Sequence, residues 1–215
     1  DARLGLLGEK HDNPDHHQLQ AEALKAMVDR GRRPAVLFEM IDQDLQPAVD
    51  AYLARPGATV DGLGAVLEWD KRGWPAWSTY RPIFVVALAA HLKIVATGLG
   101  RDAIHGIVKE GLGALPPDHV AHLHLEPLSP ELSAALEADI KASHCGALPD
   151  AMIAPMSPAK RVKDAVMAER MVAHAAPDQL VRHAQEHVKT LGRGLVADIQ
   201  HPRPALFLGP ALRRQ

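Results

Sequence analysis

The sequence predicts an α/β fold with a mostly parallel, open sheet flanked by helices. Three observations carry this. Short apolar segments at 3–7 and 34–40 bracket a stretch with helical periodicity, and a strand–helix–strand succession demands parallel pairing. A third apolar segment at 93–97 follows another helical stretch. Hydrophobic residues make up 47% of 215 residues, enough for one domain with a sizeable core and a small appended subdomain.

In chain order, residues 3–7 read as a short buried strand. Asn13-Pro14 then opens a helix, because Asn caps, Pro suits the first helical position and Asp15 complements the dipole. Leu19, Ala23, Leu24 and Met27 supply its apolar stripe to about Asp29, and Gly31 ends it. Residues 34–40 form a second strand that ends on Glu39. A helix over 42–54 turns Leu45, Val49 and Tyr52 inward, Arg55-Pro56-Gly57 breaks it, and a short helix follows at 60–68.

Residues 69–82 hold all three tryptophans and Tyr80 in a chain otherwise poor in aromatics. Such a loop either staples a helix to the sheet or walls a flat apolar ligand. An apolar helix at 82–91 leads to the third strand at 93–97, and Gly98-Leu99-Gly100-Arg101 turns into another helix. Residues 113–130, with His119, His122 and His124, read as a loop with a short extended piece. Ser129 caps a helix to about Ala142, residues 146–157 are loop-like, and Ser157-Pro158 opens a long helix to about Ala175. Strands are expected at 179–184 and 204–208.

The net charge of −2 gives no electrostatic reason to expect nucleic acid. The longest clean apolar run, 83–90, falls far short of the roughly 20 residues of a membrane span. A single cysteine, Cys145, excludes an internal disulfide framework. Thirteen histidines are many, and the sharper reading is that several serve a metal or a metal-containing cofactor.

The densest polar stretch is Gly8–His17, with Glu9, Asp12 and Asp15 beside His11, His16 and His17. Ligands of an open parallel sheet bind outside the carboxyl ends of its strands. Applied here, that rule brings together Glu9 and His11 after the first strand, Glu39 after the second, Gly98 and Arg101 after the third, and Glu186 and His187 after the fourth. Such a crevice holds a transition metal with an open water position, or uses Glu and His as base and acid. A metal-dependent or Glu/His acid–base hydrolase, with Glu9, His11, Glu39 and His187 as its candidates, is therefore one functional expectation. The spacing of His11 and His16 is not the two-histidine helix of zincins, and the chain has no paired-cysteine motif, phosphate-binding loop or Gly-x-Ser-x-Gly elbow.

Several segments together resemble the ChaN-like haem-binding uptake proteins, of a wider superfamily with Tiki, TraB and erythromycin-esterase-like proteins. They are LLGEKHDNPDHHQLQ (6–20), LFEMIDQDLQ (37–46), WPAWSTYRPIF (74–84), SHCGALP (143–149), KDAVMAERM (163–171) and QEHVK (185–189). The resemblance spans nearly the whole chain as a single ChaN-like domain. It departs at Ala184-Gln185-Glu186-His187, where a family glycine is missing, and at Gly98, where the family often has asparagine. It implies a helical subdomain at about 100–176, inserted before the last strands. It also implies haem binding in bacterial iron acquisition, by an exported protein of the periplasm or outer membrane, often lipid-anchored. A homodimer around the cofactor and an outer-membrane haem receptor are the implied partners. No iron ligand carries over by motif. By residue chemistry the candidates are Tyr80, His105, His119, His144, Cys145, Met152 and Met156. A releasable site favours one protein ligand per iron and an apolar platform at a subunit interface.

Overall fold

The structure, a computed structural model, describes residues 4–144 and 147–175. Its fold is α/β and divides into two units, one spanning Leu6–Gly100 and one beginning at Arg101.

In the first unit, α1 (Pro14–Asp29) starts where Asn13 Oδ1 accepts the Asp15 N–H at 3.0 Å. Its buried face is His17, Ala21 and Leu24, with Val28 partly buried behind them. This corrects the expected stripe: Leu19 is exposed, because the helix is rotated to bury His17. Residues 4–10 form no strand, and Leu6 and Leu7 are exposed. A strand exists only through pairing, and among the described residues this segment has no strand beside it.

Strand β1 (Val36–Asp42) pairs in parallel with β2 (Ile94–Gly98), in the register Val36↔Ile94, Leu37↔Val95 and Phe38↔Ala96. Glu39 therefore lies within β1, and Asp42 ends it. Between the strands run a 3-10 turn (Gln43–Leu45), α2 (Gln46–Leu53), α3 (Val60–Val66), a second 3-10 turn (Trp69–Lys71) and α4 (Trp77–Ala89). Gln46 acts as a substitute strand for β2: its Oε1 accepts the Ala96 N–H at 2.7 Å and its Nε2 donates to the Ile94 carbonyl at 3.0 Å. Buried backbone groups need such partners. At Gly98 a Cβ would meet the backbone carbonyls of Glu39 and Ile41, the latter at 2.9 Å.

Helix α4 begins five residues before the expected 82, with Pro82 inside it. Its early turns are held by aromatic packing. Phe84 stacks on Phe38 (centroids 4.3 Å, 11°) and meets Trp77 at 4.7 Å, while Trp69 contacts Trp77 and Tyr80 at 5.0 and 4.9 Å. Trp69 Nε1 donates to the Pro75 carbonyl at 2.8 Å. For Trp69 and Trp77 the stapling role is thus the observed one.

The second unit contains α5 (Arg101–Glu110), a 3-10 turn (Gly111–Ala114), α6 (Pro117–His122), α7 (Pro130–Ser143) and α8 (Asp150–His174). Ser129 Oγ caps α7 by accepting the Leu132 N–H at 3.3 Å. Two expectations are corrected. The 113–130 loop contains α6, opened by Pro117 at its first position and Asp118 beside it. The long helix starts at Asp150 rather than 157, and Pro155 and Pro158 lie inside it. Burial of Ile153 against Leu136 and Ile140, flanked by Leu148 and Met156, offsets the hydrogen bonds those prolines remove. No helix among the described residues is long and apolar enough to cross a membrane. The strands expected at 179–184 and 204–208 lie outside the described residues.

Candidate functional site

The extended segment before α1, the first turn of α1 and the first turn of α4 meet at Glu9. Its side chain is only 9% exposed. Oε1 accepts the His11 Nδ1–H at 2.7 Å and the Tyr80 hydroxyl at 2.9 Å. The Tyr80 oxygen also lies 3.2 Å from His11 Nδ1. On the other side His17, fully buried, places Nδ1 3.2 Å from Glu9 Oε2 and donates through Nε2 to the His11 carbonyl at 3.0 Å. The Nδ1 approach is close enough for electrostatic attraction but too poorly directed for a hydrogen bond. The His17 ring also packs on Tyr80 at 4.1 Å, tilted by 48°.

Local sequence builds this arrangement. Asn13 fixes the start of α1, which sets His17 on the same face as Ala21 and Leu24. The Lys10 N–H donates to His16 Nδ1 at 2.9 Å, and the Lys10 carbonyl accepts from Asn13 N at 2.9 Å, so the loop carrying Glu9 and His11 closes tightly on the helix end. Trp74 meets the His11 ring edge-on, with centroids 4.9 Å apart at 67°. The His11 side chain remains 42% exposed. The cluster is therefore an accessible imidazole backed by a nearly buried carboxylate.

Its electrostatics follow from these contacts. Burial pushes the Glu9 carboxyl up, but hydrogen bonds with His11, Tyr80 and Gln20 and the electrostatic effect of His17 outweigh it, holding the group below the usual carboxylate range. Burial pushes the Tyr80 hydroxyl far up, the Glu9 hydrogen bond and charge add to this, and the Glu39 charge adds further. Tyr80 therefore stays a protonated donor, and Glu39 belongs to the same electrostatic neighbourhood.

Of the residues singled out from sequence, Glu9, His11, Glu39 and Tyr80 fall in the first unit; Glu9, His11 and Tyr80 converge here, and Glu39 acts on Tyr80 through its charge. At the ends of β1 and β2, Asp42 pairs with Arg72, whose Nε donates to the Leu67 carbonyl at 2.6 Å. His187 and Cys145 lie outside the described residues. His105 is exposed on α5 and His119 on α6. His144 ends α7, with Nδ1 donating to the Ile140 carbonyl at 2.7 Å. Met152 is exposed on the first turn of α8, and Met156 is half-buried. His17 belongs to the polar stretch 8–17 but is the member that sequence reading did not single out as a site residue. Its spacing to Ala21 and Leu24 is that of one helix face and was the available signal.

Imidazole, thioether and phenol are all iron ligands in haem proteins. His105, His119 and His144 are accessible imidazoles and Met152 an accessible thioether, so the residues present fit a haem. Among the described residues, no group of three or more His, Cys, Asp and Glu side chains is arranged to hold a metal ion by itself.

Fold and cluster together define an α/β protein with a carboxylate–imidazole–phenol site at the entry to its first helix. The chain belongs to the family described as haem-binding uptake, Tiki superfamily, ChaN, whose model matches residues 1–199. Among solved structures it is similar to one described as "Cofacial heme binding to ChaN of Campylobacter jejuni", with 25% identity and a TM-score of 0.61. The similarity covers 78% of this chain and 64% of that one, so the chain spans somewhat under two thirds of that protein's length. No curated protein matches the chain significantly.

Proposed function

We propose that this protein binds haem in bacterial haem and iron acquisition, at an open site completed by a second copy of the chain. The observation that carries the reading is the family match over residues 1–199. The similarity to a Campylobacter ChaN structure described by its cofacial haem binding supports it. The accessible side chains of His105, His144 and Met152 supply the ligand chemistry a haem needs. In this reading the protein is exported, acts in the periplasm or at the outer membrane as a lipid-anchored protein, and exchanges haem with an outer-membrane receptor. A dimer around the cofactor suits release, since separating the copies opens the site. Size-exclusion chromatography with light scattering tests this: adding hemin brings haem absorbance into the protein peak and doubles the 23.2 kDa chain mass. Haem that elutes apart from the protein sinks the proposal.

A second reading has one observation in its favour. An accessible imidazole backed by a carboxylate, as in His11 and Glu9, is also the arrangement of a general base in a hydrolase. It requires turnover of an activated ester that is lost in His11→Ala. Turnover that persists unchanged in that variant would remove it.

A further inference from the structure

We propose that the turns leading into β1 and β2 form a cationic face, built on Arg30, Arg33 and Lys93, that docks on an anionic lipid surface. None of these residues takes part in the haem-binding reading above, so the two stand or fall separately.

The topology sets the charges side by side. Because β1 and β2 are parallel, they start at one edge of the sheet, and the turns that feed them from the C-terminal ends of α1 and α4 lie at that edge together. Helices α1 and α4 also pack on each other, and the Val36 N–H donates to the Lys93 carbonyl at 2.8 Å, which ties one turn to the other. Arg30 ends α1, Gly31 reverses the chain with a φ of 79°, and Arg32 and Arg33 follow. The three arginines and Lys93 are exposed.

Arg30, Arg33 and Lys93 keep their charge. Arg30 Nη1 donates to the Ala26 carbonyl at 3.1 Å, and Arg33 Nη1 to the Val28 and Arg32 carbonyls at 3.3 and 3.0 Å. Capping the end of α1 in this way occupies one nitrogen of each guanidinium and leaves the rest of the fork for a ligand. The Lys93 ammonium makes no ion pair among the described residues. Asp29, the acid beside Arg30, is held by Lys25 at 2.6 Å. No Asp or Glu occurs in residues 30–38 or 71–101. The C-terminal ends of α1 and α4 each carry about half a negative charge, less than the three full positive charges set over them.

The kind of partner follows from what the face lacks. A protein–protein site centres on an exposed aromatic or aliphatic anchor. Here Leu92 is buried, and Pro34 and Ala35 are half-buried. Long cationic side chains on two adjacent turns suit phosphates spread over a plane, which ask for charge rather than shape. Binding of this kind is weak and sensitive to salt, so it orients the domain rather than anchoring it. Helix α1 has 16 residues and spans about 24 Å. A bilayer on the Arg30 end therefore leaves the Glu9 cluster at the far end of that helix, away from the lipid.

Co-sedimentation of the full chain with lipid vesicles tests the proposal, using phosphatidylglycerol and phosphatidylcholine in equal parts against phosphatidylcholine alone. Wild type sediments with the anionic vesicles at low ionic strength, is released by added salt, and ignores the neutral ones. Each cation removed lowers the partition coefficient about fivefold. Lys93→Gln, which breaks no bond in the fold, therefore shows that single step, and Arg30→Gln/Arg33→Gln/Lys93→Gln loses roughly a hundredfold. Lys71→Gln also removes one positive charge, but from a residue paired with Glu68 and next to Arg72 at the carboxyl end of β1, and it leaves binding unchanged. Native tryptophan fluorescence checks folding, and Lys93→Gln decides the matter should the triple variant lose it. Wild type that stays in the supernatant with anionic vesicles, or folded variants that bind as wild type does, would overturn the proposal. Retention on immobilised polyglutamate without binding to vesicles would assign the face to an acidic protein and equally overturn lipid docking.

Discussion

Tyr80→Phe removes a single oxygen from a fully buried ring and tests whether Glu9 is held as described. The lost bond is 2.9 Å long and runs to a carboxylate that is 9% exposed and ionised at neutral pH. A hydrogen bond to a charged group contributes about 1.5–3 kcal/mol. His11 still donates to the same oxygen at 2.7 Å, which limits the damage. We therefore expect a loss of about 2 kcal/mol, in the lower half of that range. Urea unfolding followed by tryptophan fluorescence is the assay. All three tryptophans, Trp69, Trp74 and Trp77, lie in the Leu6–Gly100 unit, so the signal reports that unit alone. With a slope of about 2 kcal/mol per molar, the midpoint falls by about 1 M. The pH dependence adds a second constraint. The folded pKa of Glu9 is depressed from 4.5, so its contribution is complete above that value and is lost as pH falls through the folded pKa. The gap between wild type and Tyr80→Phe is therefore full at neutral pH and narrows in acid, leaving the smaller value of a neutral hydrogen bond, about 1 kcal/mol. Equal midpoints at neutral pH, or a gap that does not narrow in acid, would refute the reasoning.

The two tyrosines give a further expectation in alkali. Hydrogen bonding with Thr59 lowers Tyr52 from its ordinary 10.0, while burial and Glu9 raise Tyr80. Ultraviolet titration of the native protein should show one phenol ionising early and one only on unfolding, with stability falling as pH rises above 10.0 because the unfolded chain alone releases the Tyr80 proton. Phe84→Ala empties a fully buried site between Phe38 and Trp77 and should cost about 3–5 kcal/mol in the same fluorescence assay. Gly98→Ala drives a methyl into the carbonyls of Glu39 and Ile41 and should cost about 1–3 kcal/mol, with a proportionate drop in midpoint.

How far sequence reading reached depended on whether the deciding force was local. Caps and parallel strands are local or strongly patterned, and Asn13, Ser129, β1 and β2 lie at or within two residues of where they were expected. The strand at 3–7 was read from apolar residues alone, but pairing is a property of two segments. Ser157-Pro158 suggests a later helix start, and packing of Ile153 on α7 overrides it. At the site, the rule about strand ends grouped Glu9, His11 and Glu39, but Glu9 and His11 follow no strand and Glu39 lies inside one; the turn into α1 is what brings Glu9 and His11 together. The loop holding Tyr80 reads equally as a staple or a ligand wall, and Tyr80 as a candidate iron ligand, because an aromatic-rich loop looks alike whether it lines a pocket or a core. Only its bond across 71 residues to Glu9 tells them apart. His17 was overlooked as a core position because histidine is polar, and its partner is a charge fixed by tertiary structure.

The central claim is that this chain binds haem, and equilibrium titration of the wild-type protein with hemin tests it most directly. The account predicts a saturable shift of the Soret band with a defined stoichiometry. A spectrum that stays superimposable on that of free hemin at every protein concentration would contradict it.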